Sequence, residues 1–73
     1  MVIYDRIKEL RKERGLTQKQ LAQNIGYTQP AVNDWENKKT RPTFEAVIAL
    51  ADFFDVSADY LLGRVDEAGK PIK

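Results

Sequence analysis

The span Gln18–Asn37 holds two helix-length apolar patterns with too little chain between them for the helices to lie side by side. Leu21, Ala22 and Ile25 form the inward stripe of the first, and Val32 and Trp35 that of the second. Thr17 followed by Gln20 makes a capping box that starts the first helix, and Gly26 ends it. Thr28 is a good N-cap for the second, with Pro30 inside the first turn, where a missing N–H costs little. Two helices joined by three or four residues cross steeply. Such a crossing needs a small residue where the backbones approach, here Ala22, and a turn residue that tolerates positive φ, here Gly26. The start of the second helix is then left projecting from the molecule.

Upstream, Ile3, Ile7 and Leu10 recur at helical spacing and predict an amphipathic helix over roughly residues 3–14, ended by Gly15. Downstream, Asn37-Lys38-Lys39-Thr40-Arg41-Pro42 is polar and basic and reads as a loop stopped by the proline. Thr43 caps a fourth helix, with Glu45 in the first turn where the helix dipole favours negative charge. Val47, Leu50, Ala51 and Phe54 make one stripe on it, but Phe44, Ala46, Ile48, Ala49 and Phe53 spread apolar surface round most of the cylinder. A helix of that kind is buried on several sides, as a central strut or in a contact between subunits. Ser57 caps a short fifth helix with Leu61 and Leu62 inward, closed by Gly63. The expected fold is all-α, a compact five-helix bundle over residues 1–63. Residues 64–73 are expected to be a flexible tail or linker, with at most a turn pairing Val65 with Ile72.

Composition removes most alternatives. A chain of 73 residues holds one domain near the lower limit for unaided folding. It has no cysteine and no histidine, which excludes disulfides, thiolate nucleophiles, the usual zinc sites and imidazole acid–base chemistry. Ser57 is the single serine, and no glycine-rich phosphate loop is present. No enzyme activity, cofactor, metal or small-molecule substrate is therefore expected. No apolar run reaches the ~18 residues of a membrane span and no export signal appears, so a cytoplasmic location is expected. The net charge is +1, but it is unevenly spread: residues 1–42 carry +4, 43–63 carry −4, and the last ten +1. Poles of that kind steer a polyanion to one side.

The corner described first is a helix-turn-helix, the geometry that delivers the N-terminus of its second helix to the DNA major groove. The stretch Leu16-Thr17-Gln18, Leu21-Ala22, Ile25-Gly26-Tyr27-Thr28-Gln29, Val32, Trp35-Glu36-Asn37 and Pro42, followed by Phe53-Phe54-Asp55-Val56-Ser57-Ala58-Asp59-Tyr60-Leu61-Leu62-Gly63, carries a specific resemblance. It resembles the Cro/repressor-type helix-turn-helix family, the xenobiotic-response-element-like DNA-binding domains of phage repressors and bacterial transcriptional regulators, over residues 3–63. The resemblance implies a transcriptional regulator, most of all a repressor, whose partner is a pseudo-palindromic double-stranded DNA operator.

Roles follow position by position from that resemblance. Thr28, Gln29, Pro30, Asn33 and Asp34 are the implied base-reading residues. Gln and Asn suit adenine, pairing with N6 and N7 together. Gln18, Lys19, Asn37, Lys38, Lys39 and Arg41 are the implied phosphate contacts. Arg11 and Glu36 are the implied ion pair between the first and third helices. One departure is Lys38, where many members have glycine: either the helix runs on, or Asn37 or Lys38 takes a positive φ at roughly 1 kcal/mol. The surplus apolar surface on the fourth helix and at Val2, Ile3 and Tyr60 points to a homodimer, at least on DNA. The competing reading is a protein-interaction module, an antitoxin or adaptor on the same fold.

Overall fold

Five helices build the protein in the computed structural model, which describes residues 2–66 and 68–71. They are α1 (Ile3–Glu13), α2 (Gln18–Ile25), α3 (Gln29–Glu36), α4 (Phe44–Phe54) and α5 (Ala58–Leu62). The fold is the all-α five-helix bundle expected from the apolar spacing. Thr17, Thr28, Thr43 and Ser57 each accept a hydrogen bond from the backbone N–H three residues on, at 3.1, 3.3, 3.1 and 3.0 Å. Each such cap satisfies a donor the helix cannot, worth about 1 kcal/mol. Thr17 completes its box, donating its own N–H to Gln20 Oε1 at 2.9 Å.

Gly26 ends α2 with φ 78°. Tyr27 N–H then donates back to the Ala22 carbonyl at 2.9 Å, and the chain turns directly into α3. Ala22 is buried at the crossing. Lys38 resolves the alternatives left open after α3: it takes the left-handed conformation, φ 64°, while Asn37 stays at φ −94°.

The core gathers one stripe from every helix: Ile3 and Ile7, Leu21, Val32 and Trp35, Leu50 and Phe54, and Leu61. Burial of such side chains stabilises by about 1.5–3 kcal/mol each. Tyr27 meets Trp35 edge to face, centroids 5.3 Å apart, and closes the corner from outside. The buried arc of α4 is narrower than its composition predicts. Ala46, Val47, Leu50, Ala51 and Phe54 face inward, Phe53 is half-buried against Phe54, and Phe44 and Ile48 remain exposed at 76% and 43%. Ile3 is also corrected: it is 2% exposed and belongs to the core, not to a free apolar surface. Tyr60 is half-buried beneath Arg6, whose guanidinium lies 4.0 Å from its ring centroid. Val2 does remain exposed.

Two arginines of α1 and its C-cap, Arg14, tie the helix to the rest of the bundle. Arg6 Nη1 donates to the carbonyls of Tyr60 and Val65, the latter at 3.1 Å. Arg14 Nη2 donates to the Phe54 carbonyl at 2.8 Å, placing a cation at the negative end of α4. Arg11 grips the Glu36 carboxylate through Nε at 2.6 Å and Nη2 at 2.9 Å, and donates Nη1 to the Leu16 carbonyl at 2.8 Å. That hydrogen bond to Glu36 raises the Arg11 pKa above its ordinary value, against the opposing effect of burial. A raised pKa means that the stabilisation is complete below the ordinary guanidinium value and fades only as pH climbs through the raised one.

Beyond α5 the chain makes a turn. Asp66 Oδ1 accepts from the N–H groups of Ala68 and Lys70 at 3.0 and 2.9 Å, and Val65 pairs with Pro71 in an isolated antiparallel bridge. Ile72, the expected partner of Val65, lies outside the described residues.

Backbone conformation gives one pair of expectations. A Cβ on Gly26 would meet nothing within 4 Å, so Gly26→Ala bears only the left-handed strain and lowers unfolding stability by about 1 kcal/mol. Lys38→Gly relieves the same strain and raises stability by about 0.5 kcal/mol; urea denaturation measures both. For the ion pair, Arg11→Ala strands a carboxylate that is 2% exposed and costs about 3 kcal/mol. The double change Arg11→Met with Glu36→Leu costs clearly less than Arg11→Ala alone, because no charge is left unpaired.

Candidate nucleic-acid interface

At the corner of α2 and α3 an open groove of about 770 Å3 is lined by Arg11, Gln18, Lys19, Gln23, Tyr27 and Gln29, among others. Its floor is the helix crossing and its rim is polar. Gln18 is the first residue of α2, and Gln29 the first of α3. The Gly26 turn brings these two helix starts to the same side. Gln29 Nε2 donates to Gln18 Oε1 at 2.8 Å, and Asn33 Nδ2, one helical turn further along α3, donates to the same oxygen at 3.1 Å. Gln18 Nε2 in turn donates to Glu36 Oε1 at 3.1 Å. Arg11, Glu36, Gln18, Gln29 and Asn33 thus form one continuous chain of hydrogen bonds from a buried ion pair out to an exposed helix start.

Burial is graded along that chain. The Glu36 side chain is 2% exposed and that of Arg11 12%. Gln18 and Asn33 are half-buried, and Gln29 is exposed. A mutually neutralised ion pair inside and outward-facing amides outside make a surface that can both donate to and accept from a polar ligand.

The remaining expected site residues fall into two groups. Thr28 and Pro30 are exposed beside Gln29, with the Thr28 hydroxyl committed to its cap. Asp34 is half-buried on α3, and its carbonyl accepts the Lys39 N–H at 2.9 Å. Lys19 is exposed on the groove rim. Lys38, Lys39 and Arg41 are exposed on the loop after α3. Asn37, also exposed, donates its side-chain amide to the Asn33 carbonyl at 3.0 Å and so closes the end of α3. Lys38 Nζ sits 3.9 Å from Asp5 Oδ1. Both groups are solvated there, and the pair is worth little.

Two groove residues were given no site role in the sequence: Tyr27, although it lies within the motif, and Gln23. Tyr27 carried the signal of an aromatic residue placed immediately after the turn glycine; its ring packs on Trp35 while its hydroxyl approaches Thr43 Oγ1 at 3.4 Å. Gln23 is an exposed polar residue on α2, and only the crossing angle brings it to the groove.

Known proteins are similar to this chain in sequence and fold. The sequence pattern of the helix-turn-helix family matches residues 7–61. The HTH-type transcriptional regulator YobD of Bacillus subtilis, itself uncharacterized, is 37% identical over 62 residues, covering 85% of this chain and 55% of that protein. The crystal structure of the P22 c2 repressor with a synthetic operator superposes with a TM-score of 0.78 at 31% identity, covering 84% of this chain and 92% of that one. SinR of Bacillus subtilis in complex with DNA superposes with a TM-score of 0.74 at 33% identity, covering 82% and 97%. The chain spans about half the length of the curated relatives it matches. With the corner, the caps and the matched span in agreement, this chain belongs to the helix-turn-helix family of transcriptional regulators.

Proposed function

We propose that this chain is the sequence-specific double-stranded-DNA-binding part of a cytoplasmic transcriptional regulator that acts as a repressor. The observation that carries the reading is the hydrogen-bonded row Gln18, Gln29 and Asn33 at the outward starts of two crossed helices. The repressor and regulator relatives support it. In this reading α3 enters the major groove. Gln29 and Asn33 meet base edges, flanked by Thr28 and Pro30, with Asp34 accepting from a cytosine amino group. Gln18, Lys19, Asn37, Lys38, Lys39 and Arg41 engage phosphates and set the register.

One reading helix spans only a few base pairs. Useful affinity therefore calls for two copies on half-sites about 34 Å apart. Residues 1–63 make up the binding unit, and 64–73 a tail or linker.

Salt titration against duplex DNA tests the class of partner. Four cations meeting four phosphates give a log–log slope of about −3.6 per chain, whereas a nearly flat dependence moves the chain to the protein-interaction reading. Two substitutions test the division of labour. Gln29→Ala is expected to erase preference at one or two base pairs, leaving non-specific binding nearly intact. Lys39→Ala is expected to weaken all sequences alike and to flatten the slope by about 1. Identical behaviour of the two variants would refute the division.

A further inference from the structure

We propose that the cleft between α1, α5 and the turn after α5 binds a small organic cation with an apolar body, its ammonium group held between Asp55 and Asp66. The cleft shares no residue with the groove at the α2–α3 corner, so the proposal stands or falls apart from the DNA-reading role.

The cleft exists because the chain folds back after α5. Arg64 N–H donates to the Asp59 carbonyl at 2.8 Å, Asp66 N–H to the Lys70 carbonyl at 2.8 Å, and Gly69 N–H to the Asp66 carbonyl at 2.9 Å. Arg6 pins this turn to α1 through the Val65 carbonyl. Between the turn and the bundle remains a space of about 300 Å3, the lower end of the volumes that enclose small ligands. Leu10, Val56, Tyr60 and Val65, all half-buried, supply its apolar walls. Walls of that kind favour an apolar body that displaces water.

Two carboxylates decide the sign of the occupant. Asp55, the C-cap of α4, and Asp66, which opens the turn, both line the cleft and are exposed. Among the described residues neither has an ion-pair partner: Arg11, Lys38 and Arg64 pair instead with Glu36, Asp5 and Asp59. Arg6 and Arg14, which reach α5 and the end of α4, spend their guanidinium groups on carbonyl oxygens. Asp66 Oδ1 is committed to the N–H groups of Ala68 and Lys70, which leaves Oδ2 to a ligand. Residues 43–63 hold four acidic side chains and no basic one, so the surroundings add potential of the same sign. The complementary occupant is an ammonium group on a short aliphatic or aromatic body, and an anion of the same shape is repelled. Asp55 belongs to the bundle and Asp66 to the turn, so a cation between them joins the two.

Two substitutions remove charge and keep shape. Asp55 has φ 57°, a left-handed conformation that asparagine takes as readily, so Asp55→Asn preserves the end of α4. Asp66→Asn keeps an oxygen for the two N–H groups of the turn. The probe is 2-phenylethylammonium, compared with neutral 2-phenylethanol and anionic 3-phenylpropanoate at one ionic strength. Binding to the 73-residue chain is read by NMR as saturable shifts of backbone amides, together with hydrogen exchange at the Ala68 and Lys70 N–H groups.

The ammonium probe is expected to bind with a Kd of about 1 mM, its shifts centred on Leu10, Val56, Tyr60 and Val65. The alcohol is expected to bind at least about threefold more weakly, and the carboxylate more weakly still. Each Asn variant is expected to weaken the ammonium about threefold, and the two together about tenfold. At ten times Kd the ammonium slows exchange at Ala68 and Lys70 about tenfold, because opening the turn dismantles the site. Equal binding of the three probes overturns the proposal, as does a doubly substituted chain that binds the ammonium like the wild type. Saturable shifts that avoid the four wall residues overturn it too. Exchange unchanged at saturation refutes the joining of turn to bundle.

Discussion

A carboxylate sunk into the base of α3 is the constraint around which the rest of the protein is arranged. Glu36 is almost out of reach of water, and a lone ionised carboxylate in such a place costs several kcal/mol. Arg11 answers it with a two-point grip across the α1–α3 interface. The geometry of that grip permits little rotation of one helix on the other. It also commits both partners. The guanidinium's third bond goes to the Leu16 carbonyl, which orders the turn into α2, and the carboxylate's other acceptor site goes to Gln18 at the start of that helix. One ion pair therefore reaches three helices and the turn between two of them. Its contribution is placement more than net stability, since apolar side chains of the same size would hold the helices at least as firmly.

The apolar core supplies the stability and leaves orientation to the polar contacts. Every helix contributes at least one buried aliphatic or aromatic side chain, and the five-residue α5 is held through Leu61. Helices this short are marginal alone and exist through packing and caps. Arg6 and Arg14 then reach from α1 to carbonyls at the far side of the bundle, Arg14 meeting the unsatisfied end of α4. Helix α1 is thus joined to α3, α4 and α5 by cations as well as by its apolar stripe.

Much of this was legible in the residues. Caps are local chemistry, and Thr17, Thr28, Thr43 and Ser57 each cap the helix their sequence context announces. The steep corner followed from Gly26 and the short connection. Other features depend on partners distant in the chain and left no local trace. Arg6 bonds to a carbonyl 59 residues away and Arg14 to one 40 away, so along the chain both look like ordinary charges on an amphipathic helix. Composition also overstated the burial of α4, because an apolar residue at a helix start, such as Phe44, can project past the end of its neighbours. Ile3 erred in the opposite direction: near a chain end it looked available, yet α1 carries it into the core. At the groove, the residue types were evident from the pattern, but the bonding order among Gln18, Gln29 and Asn33 was not, since an amide's sense is decided by its neighbours.

That bonding order has an entropic side. Long amide side chains normally lose rotameric freedom when a partner docks, at about 0.5–1.5 kcal/mol for each one immobilised. Here three of them are tethered to one another before anything arrives, and the tether runs back to a rigid interior. A polar surface settling on this corner meets groups already waiting in formation, and the saving of roughly 1.5–4.5 kcal/mol appears as tighter association without a single additional contact.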